Sequence, residues 1–172
     1  MCDLNEAQAK AVAEKYGISK YYTDYAEMLK DPEVNTVDIT TPTFMHSAMT
    51  IQAAEAGKNI SCEKPFCLTL EDGMAACEAA KKNNVSLMVG ESYVFMSTIM
   101  KARELIDAGE IGKPTQIRER FGAWIEKEGV MSDRPVSENR EWRMDSSKAG
   151  GNGFPWMFDH CVHFFSTAEY LM

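Results

Sequence analysis

Lys64 lies in Glu63-Lys64-Pro65, directly after an apolar run that ends at Cys62. If that run is a strand of an open α/β sheet, Lys64 stands in the crevice outside the strands' carboxyl ends, where such sheets bind ligands. A partly desolvated lysine there can act as an acid or hydrogen-bond donor to a substrate oxygen. The plainer reading is a surface lysine paired with Glu63. Asp159 and His163 are four residues apart, so on a helix they share one face. A carboxylate beside an imidazole can fix its tautomer and support a proton transfer, whereas an ordinary surface pair of this spacing carries little energy. His160 and His163 also lie one turn apart, but two ligands are too few for a metal and no third presents itself, so no metal is assigned. His46 follows Thr41-Pro42 by a short step and points to the same sheet edge, either as a polar helix end or as a ligand contact.

The elements that must position these residues alternate. Ala9, Val12, Ala13 and Tyr16 repeat with helical spacing, Asn5 with Gln8 suits a capping box, and Gly17 suits a left-handed end. Tyr21-Tyr22 is a brief extended piece, and Thr23 is a plausible N-cap for a helix to Lys30 that Asp31-Pro32 ends. Strands are predicted at 37–40, 59–62 and 85–89, with helices at 46–56 and from Thr69 to Lys82 between them. Strand, helix, strand, helix, strand at these spacings predicts right-handed crossovers and a parallel sheet, with short continuous strands covered on both faces. A doubly wound α/β domain is therefore predicted to about Gly90. Beyond it come a helix at 97–108, a longer strand at 115–124, a charge-mixed loop at 126–148, and a helix from Trp156 to the end. The domain boundary is placed at 93/94. No G-x-G-x-x-G turn opens the sheet, and the chain stops on Leu171-Met172 inside a helical pattern, so it reads as an internal piece of a longer protein.

Composition narrows the partners. The 172 residues carry 18 Lys+Arg against 26 Asp+Glu, a net charge of −8. That balance argues against nucleic acid or an anionic membrane as partner, since both require a basic face. No apolar run approaches the roughly 20 residues of a spanning helix, and the polar start argues against a secretory signal. Five cysteines, with no Cys-x-x-Cys spacing, read as reduced thiols of a cytoplasmic protein.

Taken in order, Val37-Asp38-Ile39-Thr40-Thr41-Pro42, His46, Ala53-Ala54-Glu55-Ala56-Gly57-Lys58 and Cys62-Glu63-Lys64-Pro65 resemble the most diagnostic segment of the Gfo/Idh/MocA family of nicotinamide-dependent oxidoreductases. Gly150-Gly151 followed by Asp159-x-x-x-His163 resembles that family's second signature. The resemblance implies a partial Rossmann domain over 1–93, then the beginning, over 94–172, of a substrate and oligomerisation domain of the α/β type with an open, mostly antiparallel sheet. It implies that Lys64 is the catalytic lysine on the substrate oxygen, that His163 accepts the hydroxyl proton, and that Asp159 stands beside it. Thr40, Thr41, Pro42, His46, Glu63 and Lys64 match positions lining the cofactor. Asp3 resembles the acidic residue that takes the adenosine ribose hydroxyls, which favours NAD, with NADP the alternative. The Lys64–Pro65 bond is expected to be cis, as it often is in the family. The implied activity is hydride transfer between NAD and a secondary alcohol of a sugar, polyol or related cyclic substrate, by a homo-oligomer when full length. In the segment Gly90-Glu91-Ser92-Tyr93-Val94-Phe95, Ser92 and Val94 stand where many members carry Asn and Arg. The competing readings are a non-catalytic sensor of nucleotide or sugar with the same fold, and an inactive fragment.

Overall fold

The computed structural model describes residues 1–120, 125–126, 129–130, 142, 145–152 and 155–172. Its first helix, α1 (Glu6–Tyr16), is capped by the Asn5 side chain on Gln8 N–H and closed by Gly17 at φ 67°. Helix α2 (Tyr25–Lys30) is capped by Asp24 and not by Thr23: the Asp24 carboxylate accepts Glu27 N–H. Then follow β1 (Thr36–Ile39), α3 (Thr43–Glu55), β2 (Asn59–Glu63), α4 (Leu70–Lys82) and β3 (Leu87–Gly90). Helix α3 begins three residues earlier than His46, immediately after Pro42, whose fixed φ suits a helix start. Thr69 caps α4 as its sequence suggests.

The three strands form a parallel sheet in the order β1-β2-β3. Its core is built from Val37, Ile39, Ile60 and Cys62 against Ala53 and Ala54 of α3, Ala80 of α4, and Met28 and Leu29 of α2. Alanines at the helix contacts let α3 and α4 lie close to the strands. Strand β1 alternates instead of being covered on both faces: Val37 and Ile39 are buried while Thr36 and Asp38 are exposed. The reason is topological. Two successive right-handed crossovers that step in one direction put their helices on the same side of the sheet. On β3 even apolar Met88 is 62% exposed. Cys2 and Tyr22 add an isolated parallel bridge.

Beyond β3, a 3₁₀ turn (Tyr93–Phe95) leads into α5 (Ser97–Asp107). The predicted strand at 115–124 does not form over 115–120, where the described residues offer no ladder partner, and 121–124 lie outside the described residues. Overlapping the stretch expected to be loop, β4 (Ile125–Glu126) pairs antiparallel with β5 (Gly129–Val130) and α6 spans Ser146–Ala149. Much of 126–148 lies outside the described residues. Helix α7 (Pro155–Leu171) starts on proline, whose missing N–H costs nothing in a first turn. It packs against α5, α6 and the 3₁₀ turn.

Candidate active site

Register brings the candidate residues together. Ile39 pairs with Cys62, Cys62 with Val89, and Glu63 with Gly90. The residues that leave the sheet next, Thr40-Thr41, Lys64 and Glu91, therefore emerge side by side at its carboxyl edge. Thr40 is exposed, and Thr41, Pro42 and Glu63 are half-buried there. The Lys64–Pro65 peptide bond is cis.

Lys64 is buried, and its Nζ donates to the Asp159 main-chain oxygen at 2.9 Å and to Asp159 Oδ1 at 3.1 Å. A contact spanning 95 residues thus seats α7 on the end of β2. The pairing of Lys64 with Glu63 is not observed. Asp159, in turn, is not the carboxylate on His163. One turn along α7, His163 Nδ1 lies 2.7 and 2.9 Å from the two oxygens of Glu91. The Tyr93 ring stacks on the imidazole with centroids 3.9 Å apart and planes 9° from parallel. Nothing in the local sequence around Glu91 and Tyr93 marks them as site residues. The signal that finds Glu91 is the register itself, which places it beside Lys64.

His46 lies inside α3 and is 1% exposed. Its Nδ1 is 2.8 Å from the Pro65 carbonyl oxygen and its Nε2 2.7 Å from that of Thr41. The ring ties the loop after β1 to the loop after β2 from behind, with both nitrogens engaged by backbone. Asp3 follows the Cys2–Tyr22 bridge: its N–H donates to Tyr22 O and its Oδ1 accepts Asn5 N–H. Cys62, under the edge, is buried, and desolvation pushes its thiol up to about 11.

The edge suits a ligand rich in acceptors. Helix α3 opens at Pro42 with no side-chain cap and no acidic residue in its first turn, so its first amides face the edge without competition from its own sequence. An ammonium has three donors, and Asp159 takes two of Lys64's. On His163 no bond involves Nε2 among the described residues. Among the described residues, one Lys64 donor and one His163 ring nitrogen thus have no partner. Among the described residues no group of three His, Cys, Asp or Glu could hold a metal, and no helix is long and apolar enough to cross a membrane.

Comparison with known proteins identifies the family and the fold. A family model described as "Oxidoreductase family, NAD-binding Rossmann fold" matches residues 1–91, and one described as "GFO/IDH/MocA C-terminal domain" matches residues 99–172. Levoglucosan dehydrogenase of Pseudarthrobacter phenanthrenivorans is 31% identical over the whole chain, which covers 42% of that relative. The scyllo-inositol 2-dehydrogenase (NAD(+)) of Bacillus subtilis is 45% identical over 112 residues, 65% of this chain and 33% of its own. Among solved structures, a levoglucosan dehydrogenase complex with NADH and levoglucosan superposes with a TM-score of 0.78 at 31% identity, covering 99% of this chain and 44% of that one. The chain therefore spans less than half the length of these relatives.

Proposed function

We propose, since the chain belongs to the Gfo/Idh/MocA oxidoreductase family, that the protein containing it moves a hydride between NAD and a secondary alcohol carbon of a sugar, polyol or related cyclic substrate. The observation that carries this reading is that Lys64 and His163 are each held by a carboxylate, Asp159 and Glu91, with Lys64 and Glu91 leaving adjacent strands at one sheet edge and one polar position on each of Lys64 and His163 without a partner among the described residues. NAD supplies the hydride acceptor when bound. Lys64 directs its third N–H to the substrate oxygen and stabilises the charge that develops on it. His163 accepts the hydroxyl proton at Nε2; the O–H bond breaks, and its electron pair closes the carbonyl as hydride departs. Asp159 holds the Lys64 side chain in place in a buried site.

Thr40, Thr41, Pro42 and Glu63 line the cofactor at the carboxyl edge. His46 serves the same surface by tying Thr41 to Pro65, and Asp3 takes the ribose hydroxyls and selects NAD over NADP. The chain holds no glycine-rich turn, so the pyrophosphate cradle is not among its 172 residues. The two family matches, over 1–91 and 99–172, support a division at 93/94 into a nucleotide part and the start of a substrate part. The whole protein is read as a cytoplasmic homo-oligomer.

The test is NADH formation by the intact protein across inositols, aldoses and anhydrosugars, with NAD and NADP compared. Reduction of NAD by at least one of these classes is expected. Tight NAD binding without reduction by any of them would favour a sensor and overturn the enzyme reading.

A further inference from the structure

We propose that Glu91 is the positioning residue for His163, fixing which ring nitrogen carries the proton before substrate arrives. The spacing of Asp159 and His163 suggests Asp159 for this role, but Asp159 Oδ1 is committed to Lys64 at 3.1 Å. Glu91 occupies the place instead, with both carboxylate oxygens within 2.9 Å of His163 Nδ1. The pair is largely removed from water, the side chains being 7% and 13% exposed. Glu91 is itself held, because its Oε1 also accepts Tyr93 N–H at 2.8 Å. Tyr93 then turns back to stack on the imidazole face, and His160 meets the same ring edge-on at 5.9 Å between centroids.

The consequence is chemical. An ionised carboxylate only accepts hydrogen bonds, so Nδ1 must be the protonated nitrogen of the neutral ring. Nε2 then carries the lone pair, which is the form needed to take a proton from a hydroxyl. Once it has done so, the imidazolium faces the Glu91 charge and is stabilised by it, and Glu91 need not accept the proton itself. Tyr93 and His160 limit rotation of the ring, so the lone pair also has one direction. This inference rests on the dehydrogenase reading for the identity of the proton donor, but not for the state of the ring.

The experiment compares the intact protein with its Glu91→Gln variant, each labelled with ¹⁵N-histidine. Glutamine has nearly the same shape and can still accept Tyr93 N–H, but it can present either oxygen or NH₂ to the ring. Wild type is expected to show His163 in the Nδ1–H form, and the variant a mixed or Nε2–H form. Turnover with NAD and the substrate found above should fall by about 10²- to 10⁴-fold, the range a positioned acid or base contributes, with KM and NAD affinity unchanged. A wild-type ring in the Nε2–H form overturns the proposal, whatever the protein's activity. So does a variant in which the tautomer moves while turnover holds, or turnover falls while the tautomer holds. A purely structural Glu91 would leave both readouts where they were.

Discussion

Replacing Lys64 with methionine should destabilise the protein by far more than the loss of a surface ion pair. Lys64 Nζ and Asp159 Oδ1 are 3.1 Å apart, and their side chains are 9% and 6% exposed. At that separation the attraction is about 1 kcal/mol in bulk water but about 5 kcal/mol at an effective dielectric constant near 20. Methionine matches the length of the aliphatic stem and leaves the Asp159 carboxylate buried without its partner. Breaking one side of a buried pair typically costs about 3–5 kcal/mol, against about 0–1 kcal/mol for an exposed pair. The Asp159 main-chain oxygen loses a donor as well. A second variant, Lys64→Met with Asp159→Leu, removes the stranded charge and should recover most of the loss. Urea unfolding of the intact protein, without nucleotide or substrate, measures all three proteins on one scale. A single variant within about 1 kcal/mol of wild type would refute the reasoning. A double variant no more stable than the single one would refute it equally.

Other features make separate predictions. His46→Ala leaves the Thr41 and Pro65 carbonyls without their partner and opens a buried hole, so a loss of about 2–4 kcal/mol is expected in the same unfolding assay. Weakened NAD affinity should accompany it if the two loops line the cofactor. Cys62 is buried, with its thiol pushed up to about 11, whereas Cys77 is exposed. Iodoacetamide on the native protein near neutral pH should therefore label Cys77 and spare Cys62 by peptide mass mapping. Hydrogen bonds from Lys20 and Tyr22 hold the Asp31 carboxyl well below the usual carboxylate range. A depressed folded pKa contributes stability above the unfolded pKa of about 3.9, and that contribution fades as pH falls through it toward the folded value. The stability gap between wild type and Asp31→Asn should accordingly be full at neutral pH and shrink on acidification. A gap independent of pH would contradict the assignment.

The order of elements was legible because each has a local cause. Asn5 and Thr69 cap their helices from within their own sequence, Gly17 takes the left-handed end, and the spacing of strands with helices dictates parallel crossovers. Lys64 was legible as well, since the residue after a parallel strand must sit at the ligand edge. What the spacing of Asp159 and His163 could establish was a shared helix face. Which side chains meet that face is decided by the seating of α7 on the sheet, through contacts to Lys64 and Glu91 made 95 and 72 residues away. For His46 the sequence leaves a helix end or a ligand contact open, because its ties to Thr41 and Pro65 appear only once two loops are brought together. The run at 115–120 is not a strand for a similar reason: Thr115 and Ile117 supply some tendency, but a strand needs a neighbour, and the described residues offer none.

Deuterium transfer tests the central claim most directly. The intact protein is given NAD and its substrate deuterated at the reacting carbinol carbon, and the nicotinamide ring is then examined by NMR. The account predicts deuterium on the ring in wild type. In Lys64→Ala, label transfer should slow steeply while NAD still binds. Reduced nicotinamide without label, or a Lys64→Ala variant that transfers label at the wild-type rate, would contradict the assignment of hydride transfer to this sheet edge.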